Sequence, residues 1–167
     1  MAAHPPSNQV PVVYAWQAVR QQVREGTHIF LSTPSGERID MVEPKKILYI
    51  EDNKTNAMLV TKVLRNVEGV ELCCAANGEE GLELARSMSP DLVLLDIGLP
   101  GMSGYDVLRY IREDTGLAGT RVVAMTASAS QDDVAVGVQA GFDAYLTKPF
   151  DIRHFLRLLD KLLDLGH

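Results

Sequence analysis

From Lys45 onward, short aliphatic runs alternate with stretches whose apolar residues recur every three or four positions. Runs of that kind bounded by turn residues read as strands, and the 3.6-residue period reads as helix. The pattern predicts strands at residues 46–50, 70–75, 92–95, 121–125 and 144–147. Helices are expected at 53–66, 77–87, 103–114, 130–141 and 151–165. Polar caps mark the helix starts: Asn77 with Glu80 three residues on, Ser103 with Asp106, Ser130 with Asp133, and Asp151. In the first helix Met58, Leu59, Lys62 and Val63 mark the faces. The third strand, Leu92-Val93-Leu94-Leu95, has no polar position, which predicts burial on both faces of a parallel sheet.

Five strand–helix units in succession specify an α/β, doubly wound five-stranded parallel sheet over residues 45–167. No G-x-G-x-x-G follows the first strand, which disfavours a dinucleotide site. The flavodoxin-like order 2-1-3-4-5 would set the first and third strands side by side at the switch point. The residues after Ile50 and after Leu95 would then face one crevice.

Residues 1–44 break the alternation. Val12, Trp16, Val19 and Val23 form an apolar stripe at helical spacing, and residues 27–33 and 38–42 flank Pro34-Ser35-Gly36 as the arms of a hairpin would. This predicts an N-terminal helix plus hairpin extension, too small for a core of its own, that packs its stripe on another surface.

Composition narrows the function classes. The 167 residues are 46% hydrophobic and 23% charged, with a formal charge of −6 and no basic block, which argues against nucleic-acid partners. No apolar stretch reaches the length of a membrane span, and the first residues lack a basic region followed by an apolar core; no membrane association and a cytoplasmic location are expected. Cys73 and Cys74 are adjacent in a strand, so they should face opposite sides as two buried thiols rather than a disulfide or metal site. His4, His28, His154 and His167 sit in no phosphotransfer pattern and read as structural or surface residues.

The strand ends carry the chemistry. The first strand ends in Glu51-Asp52, the third in Asp96, the fourth in Thr126 and the fifth in Lys148. Each alone has a plain explanation as a cap or a surface residue. Together they deliver an acid pair, an acid, a hydroxyl and an ammonium to one edge of the sheet. Three carboxylates without His or Cys make a hard oxygen site suited to Mg²⁺.

At this point the chain resembles the response-regulator receiver family over residues 45–167. Tyr49-Ile50-Glu51-Asp52-Asn53 is similar to its acidic motif, and Leu94-Leu95-Asp96-Ile97-Gly98-Leu99-Pro100-Gly101-Met102-Ser103-Gly104 to its phosphoacceptor loop. Met125-Thr126-Ala127 and Leu146-Thr147-Lys148-Pro149-Phe150 resemble the hydroxyl and Lys-Pro motifs. Leu99 stands where many members have Met. The resemblance implies that Asp96 accepts a phosphoryl group from a histidine kinase or histidine phosphotransfer protein. It implies that Mg²⁺ is held by Asp52, Asp96 and the backbone carbonyl of Gly98, with Glu51 acting through water. It implies that Lys148 and Thr126 bind the phosphoryl oxygens, and that Thr126 and Tyr145 switch the surface of helix 130–140, strand 144–147 and helix 151–165. That surface would take a downstream protein or a second copy of the chain. The expected role is a phosphoacceptor and not an enzyme, with at most slow self-dephosphorylation.

Two alternatives stand beside it. An aspartate-nucleophile phosphatase of the haloacid-dehalogenase type needs a second acid two residues after the nucleophile, where this chain has Gly98. A receiver-like interaction module that is never phosphorylated would not need the complete set of strand-end groups. Whether the chain is a single-domain regulator or part of a hybrid kinase stays open at this level.

Overall fold

The computed structural model describes residues 43–127 and 131–165, together with the strands Phe30–Ser32 and Arg38–Asp40; side chains at 131–134 are not described. The chain divides into two units, Met1–Val42 and Glu43–His167. In the first, Phe30–Ser32 pairs antiparallel with Arg38–Asp40, Leu31 lying opposite Ile39, so the two arms of the expected hairpin do pair. The expected helix carrying Val12, Trp16, Val19 and Val23 lies outside the described residues.

In the second unit the elements run β1 (Lys45–Ile50), α1 (Lys54–Leu64), β2 (Val70–Ala75), α2 (Gly78–Met88), β3 (Leu92–Asp96), α3 (Gly104–Glu113), β4 (Arg121–Thr126), α4 (Gln131–Ala140), β5 (Ala144–Thr147) and α5 (Ile152–Leu163). The strands form one sheet in the order β2-β1-β3-β4-β5, every neighbour parallel. This is the predicted flavodoxin-like order, with β1 and β3 adjacent at its centre. Both faces are covered. Leu48, Ile50, Val93 and Leu95 point to the layer with α2 and α3, while Ile47, Tyr49, Leu92 and Leu94 point to the layer with α1 and α5. The period of two along a strand makes that division, and burial on both sides explains why these strands read as unbroken apolar runs.

Caps fix where the helices begin. The Asn53 side chain accepts from the amides of Thr55 and Asn56, Asn77 from Glu80, and Asp151 from His154. Ser103 and Asp106 form a reciprocal capping box at α3. At α2 the glutamate reaches one residue further back than a capping box requires, because Glu80 Oε2 accepts from the amide of Ala76 at 2.7 Å. The last helix stops at Leu163 rather than 165, with Asp164 in a left-handed conformation (φ 52°).

The structure shows which face of α1 is buried, and it corrects one expectation about the cysteines. Met58 and Leu59 face solvent (71% and 47% exposed), and α1 buries Val60 and Leu64 instead. Val60 and Leu64 are four residues apart and therefore share one face of the helix. Cys73 and Cys74 do face opposite sides, Cys73 against the α2/α3 layer and Cys74 toward Thr61 of α1. They are not two buried thiols, however: Cys73 is half-buried and Cys74 exposed, because β2 is an edge strand with a neighbour on one side only.

One side chain holds the approach to β5. The Arg112 guanidinium on α3 donates to the carbonyls of Ala118, Thr120 and Gly141 and to Asp143 Oδ2, and the last of these also accepts from the Val122 amide. A planar fork with five N–H groups suits such a cluster of acceptors. It ties the end of α3 to the start of β5, the strand that leads to Lys148.

Candidate functional site

The carboxyl ends of β1 and β3 lie side by side, Ile50 opposite Leu95, so Glu51, Asp52 and Asp96 leave the sheet at one place. Their nearest carboxylate oxygens all lie within 4.8 Å of one another. Glu51 is 3% exposed and Asp96 9%, whereas Asp52 faces solvent. Two nearly buried acids this close would repel each other strongly without a cation.

Lys148 supplies one. Its ammonium lies 2.6 Å from Glu51 Oε2 and 2.9 Å from Asp96 Oδ2. It comes to this edge because β5 pairs with β4 and the chain just beyond β5 stays hydrogen-bonded to it, the Lys148 amide donating to the Thr126 carbonyl at 2.7 Å. Thr126 itself ends β4, half-buried, with Thr147 as its partner across the ladder. The second oxygen of Asp96 accepts from the Gly98 amide at 2.9 Å.

Glu51 is the most heavily bonded group of the site. Oε2 accepts from Lys148 and from the Tyr49 hydroxyl at 2.7 Å, and Oε1 accepts from the Asn53 amide and the Asn56 side-chain amide, both at 3.2 Å. Burial alone would raise its pKa, but the hydrogen bonds from Lys148, Tyr49 and Asn56 outweigh burial and hold the carboxyl below its usual value. Burial likewise pulls Lys148 down, and its bonds to Glu51 and Asp96 overcome this and raise it. Tyr49 is pushed well up by burial first and then by the bond to Glu51, so it stays a donor.

Tyr49 and Asn56 were not singled out from the sequence. Tyr49 counts there as one more apolar residue of a strand, though it lies two residues before Glu51 and therefore on the same side. That spacing is the signal that could have found it. Asn56 in the first turn of α1 carries no comparable mark.

The amino end of α3 presses against the loop that carries Asp96. A Cβ at Gly104 would fall 2.6 Å from the Asp96 carbonyl oxygen and 2.7 Å from Ile97 Cα, so a residue without a side chain is required there. Tyr145 on β5 is half-buried, its ring edge-on to Phe142 with centroids 5.4 Å apart.

The strand-end cluster of two nearly buried acids and one exposed acid is only partly balanced by the single Lys148 ammonium. The donor set of Glu51, Asp52 and Asp96 is all hard oxygen and fits Mg²⁺. A family model described as the response regulator receiver domain matches residues 47–160. The chain belongs to that family. It is a signalling domain rather than a conventional enzyme, and receiver domains bind Mg²⁺ at such an acidic pocket.

Relatives with established names agree on this domain. The DNA-binding response regulator MtrA of Mycobacterium tuberculosis (strain ATCC 25618 / H37Rv) is 41% identical over 106 residues, covering 64% of this chain and 45% of that protein. The chain thus spans about half the length of the MtrA relatives it matches. The polar-differentiation response regulator DivK of Brucella anthropi is 36% identical over 120 residues, covering 72% of this chain and 97% of DivK. Among solved structures, the receiver domain of the sensor histidine kinase PA1611 from Pseudomonas aeruginosa PAO1 superposes with a TM-score of 0.65 at 31% identity, over 74% of this chain and 99% of that one. That receiver has a magnesium ion coordinated in its active-site cleft. A CheY-like receiver domain protein from Methanospirillum hungatei JF-1 gives 0.65 at 30% identity, over 74% and 97%. Among the described residues no helix is long and apolar enough to cross a membrane.

Proposed function

We propose that Asp96 takes a phosphoryl group from a phosphohistidine donor, a histidine kinase or a histidine phosphotransfer protein, and passes the signal to a protein partner. The observation that carries this reading is the Lys148 ammonium held 2.9 Å from Asp96 Oδ2 beside two further acids. An Asp96 oxygen attacks phosphorus, the P–N bond to the donor imidazole breaks with its electron pair leaving on nitrogen, and an acyl phosphate forms. Such transfers need positioning and charge neutralisation more than covalent help. Lys148 turns from carboxylate to phosphoryl oxygen, and the Thr126 hydroxyl donates to a second oxygen. Asp52, Asp96 and the Gly98 carbonyl would hold Mg²⁺, with Glu51 acting through water; the chemistry it would supply is neutralisation of the acids and the incoming oxygens.

The α4–β5–α5 surface is the output in this reading, with Thr126 and Tyr145 as the coupling pair. A phosphoryl group that draws the Thr126 hydroxyl biases the neighbouring Tyr145 between rotamers, and the bias can be no larger than the difference in contacts between the two states. A downstream protein or a second copy of the chain reads the result, and residues 1–44 form an extension distinct from the receiver at 45–167. The haloacid-dehalogenase reading is weaker, since the residue two after Asp96 is Gly98, whose amide donates to Asp96.

The test is incubation with a small-molecule phosphodonor and Mg²⁺, followed by intact-mass measurement and mapping of the acyl phosphate. One phosphoryl group on Asp96, lost in Asp96→Asn and in chelator, is expected. Labelling that maps to another acid would overturn the assignment.

A further inference from the structure

Among residues 135–140, the described part of α4 nearest its carboxyl end, only Gly137 is buried; Val136 and Val138 are 58% and 60% exposed. A glycine inside a helix is unfavourable relative to alanine, so its presence at the one buried position asks for a reason. The reason is visible in what a side chain would meet. A Cβ on Gly137 would fall on the Tyr145 hydroxyl and Cζ and lie 2.8 Å from Cε2, so the tyrosine ring occupies the space of an alanine methyl.

The end of the helix points the same way. Gly141 (φ 106°) stands just past α4, its amide donating to the Val138 carbonyl while the Phe142 amide donates to the Gly137 carbonyl. That is a Schellman motif, in which the third residue from the helix end normally makes an apolar contact with the residue two past the cap. Those two positions here are Gly137 and Phe142. Gly137 has no side chain to offer, and Tyr145 makes the contact instead, edge-on to Phe142 at 5.4 Å. Phe142 in turn packs edge-on to Tyr105 of α3 at 5.6 Å.

We propose that Gly137 is the socket for Tyr145, a positioning residue whose missing side chain both admits the ring and seats the last turn of α4 upon it. The rotamer of Tyr145 and the seating of α4 are then one variable. With the ring in the socket, the Gly137–Phe142 corner is covered; with the ring out, α4 loses its buried contact there. In this protein the inward position is available without phosphorylation, and any side chain at 137 removes it. The consequence for signalling rests on the reading of Tyr145 as a switch, but the socket does not.

The test uses the full chain without phosphodonor, labelled with fluorotyrosine, the Tyr145 resonance being assigned from Tyr145→Phe. Gly137→Ala should move that resonance to a solvent-exposed environment and lower the unfolding midpoint. In a Tyr145→Ala background the same Gly137→Ala should raise the midpoint, because alanine is the better helix former once the ring is gone. Should Gly137→Ala alone not fold, Tyr145→Ala alone still decides: amide exchange at 137–142 should accelerate by about tenfold or more. An unmoved Tyr145 resonance, a midpoint lowered equally in both backgrounds, or unchanged exchange at 137–142 would each overturn the socket. Failure of phosphorylation to move Tyr145, with these results as expected, would instead count against the switch reading alone.

Discussion

Replacing Lys148 by Met removes the ammonium that bridges Glu51 and Asp96 while keeping most of the side chain's length. The contacts are 2.6 and 2.9 Å, and at an effective dielectric of about 20 each is attractive by roughly 6 kcal/mol before desolvation is subtracted. Burial takes back most of that, and truncating one partner of a buried pair costs about 3–5 kcal/mol because the other charge is left behind. The lysine side chain is 17% exposed, so solvent softens the loss, and about 2–4 kcal/mol is the expected destabilisation in chelator. For a chain of this length that is a fall in melting temperature of about 5–15 °C. Excess Mg²⁺ should restore part of it, since a cation that binds the folded acids stabilises by mass action.

The pH dependence changes sign as well. In the parent protein Glu51 has a lowered pKa, so its contribution is present above the usual carboxylate value of 4.5 and is lost as pH falls through the lower folded value. Lys148 is raised above 10.5, so its contribution is present below that pH and is lost as pH rises through the folded value. Without the lysine, Glu51 loses the strongest of the bonds that offset its burial, so its carboxyl rises, and the variant should become more stable as pH drops from about 7 toward 5. Thermal scans with chelator and with Mg²⁺ at several pH values measure all of this. A loss under about 1 kcal/mol that neither Mg²⁺ nor acid relieves would mean that the ion pairs do not hold the site together.

Tyr49→Phe keeps the buried ring and removes one hydrogen bond to a charged oxygen that retains Lys148; a loss of about 1–2 kcal/mol in urea unfolding with an unchanged slope is expected. Gly104→Ala sets a methyl against the backbone of Asp96 and Ile97, which cannot step aside, so about 1–3 kcal/mol of destabilisation should come with slower labelling of Asp96. Thr126→Ala should leave Asp96 open to phosphorylation but blunt the spectral changes that follow along α4, β5 and α5. Equal phosphorylation-induced shifts in Thr126→Ala and the parent would remove Thr126 from the route.

Strand positions and the edge where the chemistry gathers were legible because both rest on local rules. Four buried residues such as Leu92 to Leu95 can hardly be anything but a strand covered on two sides, and a polar residue ending such a strand must leave the sheet at its carboxyl edge. Register was less local, yet the alternation of two helix layers left few orders for five parallel strands. What stayed hidden depends on contacts between distant segments. Arg112 looks like an ordinary helix surface residue until the chain from Ala118 to Asp143 folds back over it. Met58 and Leu59 do not reveal which face of α1 is buried, because apolar side chains on an exposed face carry the same letters as core ones. Gly137 likewise shows only as a weak spot in a helix until Tyr145 is seen to fill it.

Tyr49 and Asn56 bear on the energetics of the proposed transfer through Glu51, the carboxylate to which both donate. Glu51 is buried, and an acid of that kind abandoned by the cation that pairs with it would be a costly orphan. When Lys148 swings toward a phosphoryl oxygen, Glu51 keeps the phenol of Tyr49, the amide of Asn56 and the backbone N–H of Asn53. Three donors on one carboxylate offset part of what the departing cation leaves behind. The lysine can therefore change partners at a smaller cost at Glu51, which reduces the opposing free energy of the step that Asp96 must make. Removing both donors, in Tyr49→Phe with Asn56→Ala, should then slow labelling of Asp96 by more than the product of the two single effects, because either donor alone can still hold Glu51 in place. Strictly multiplicative rates would show that the two donors act independently rather than as substitutes for one another.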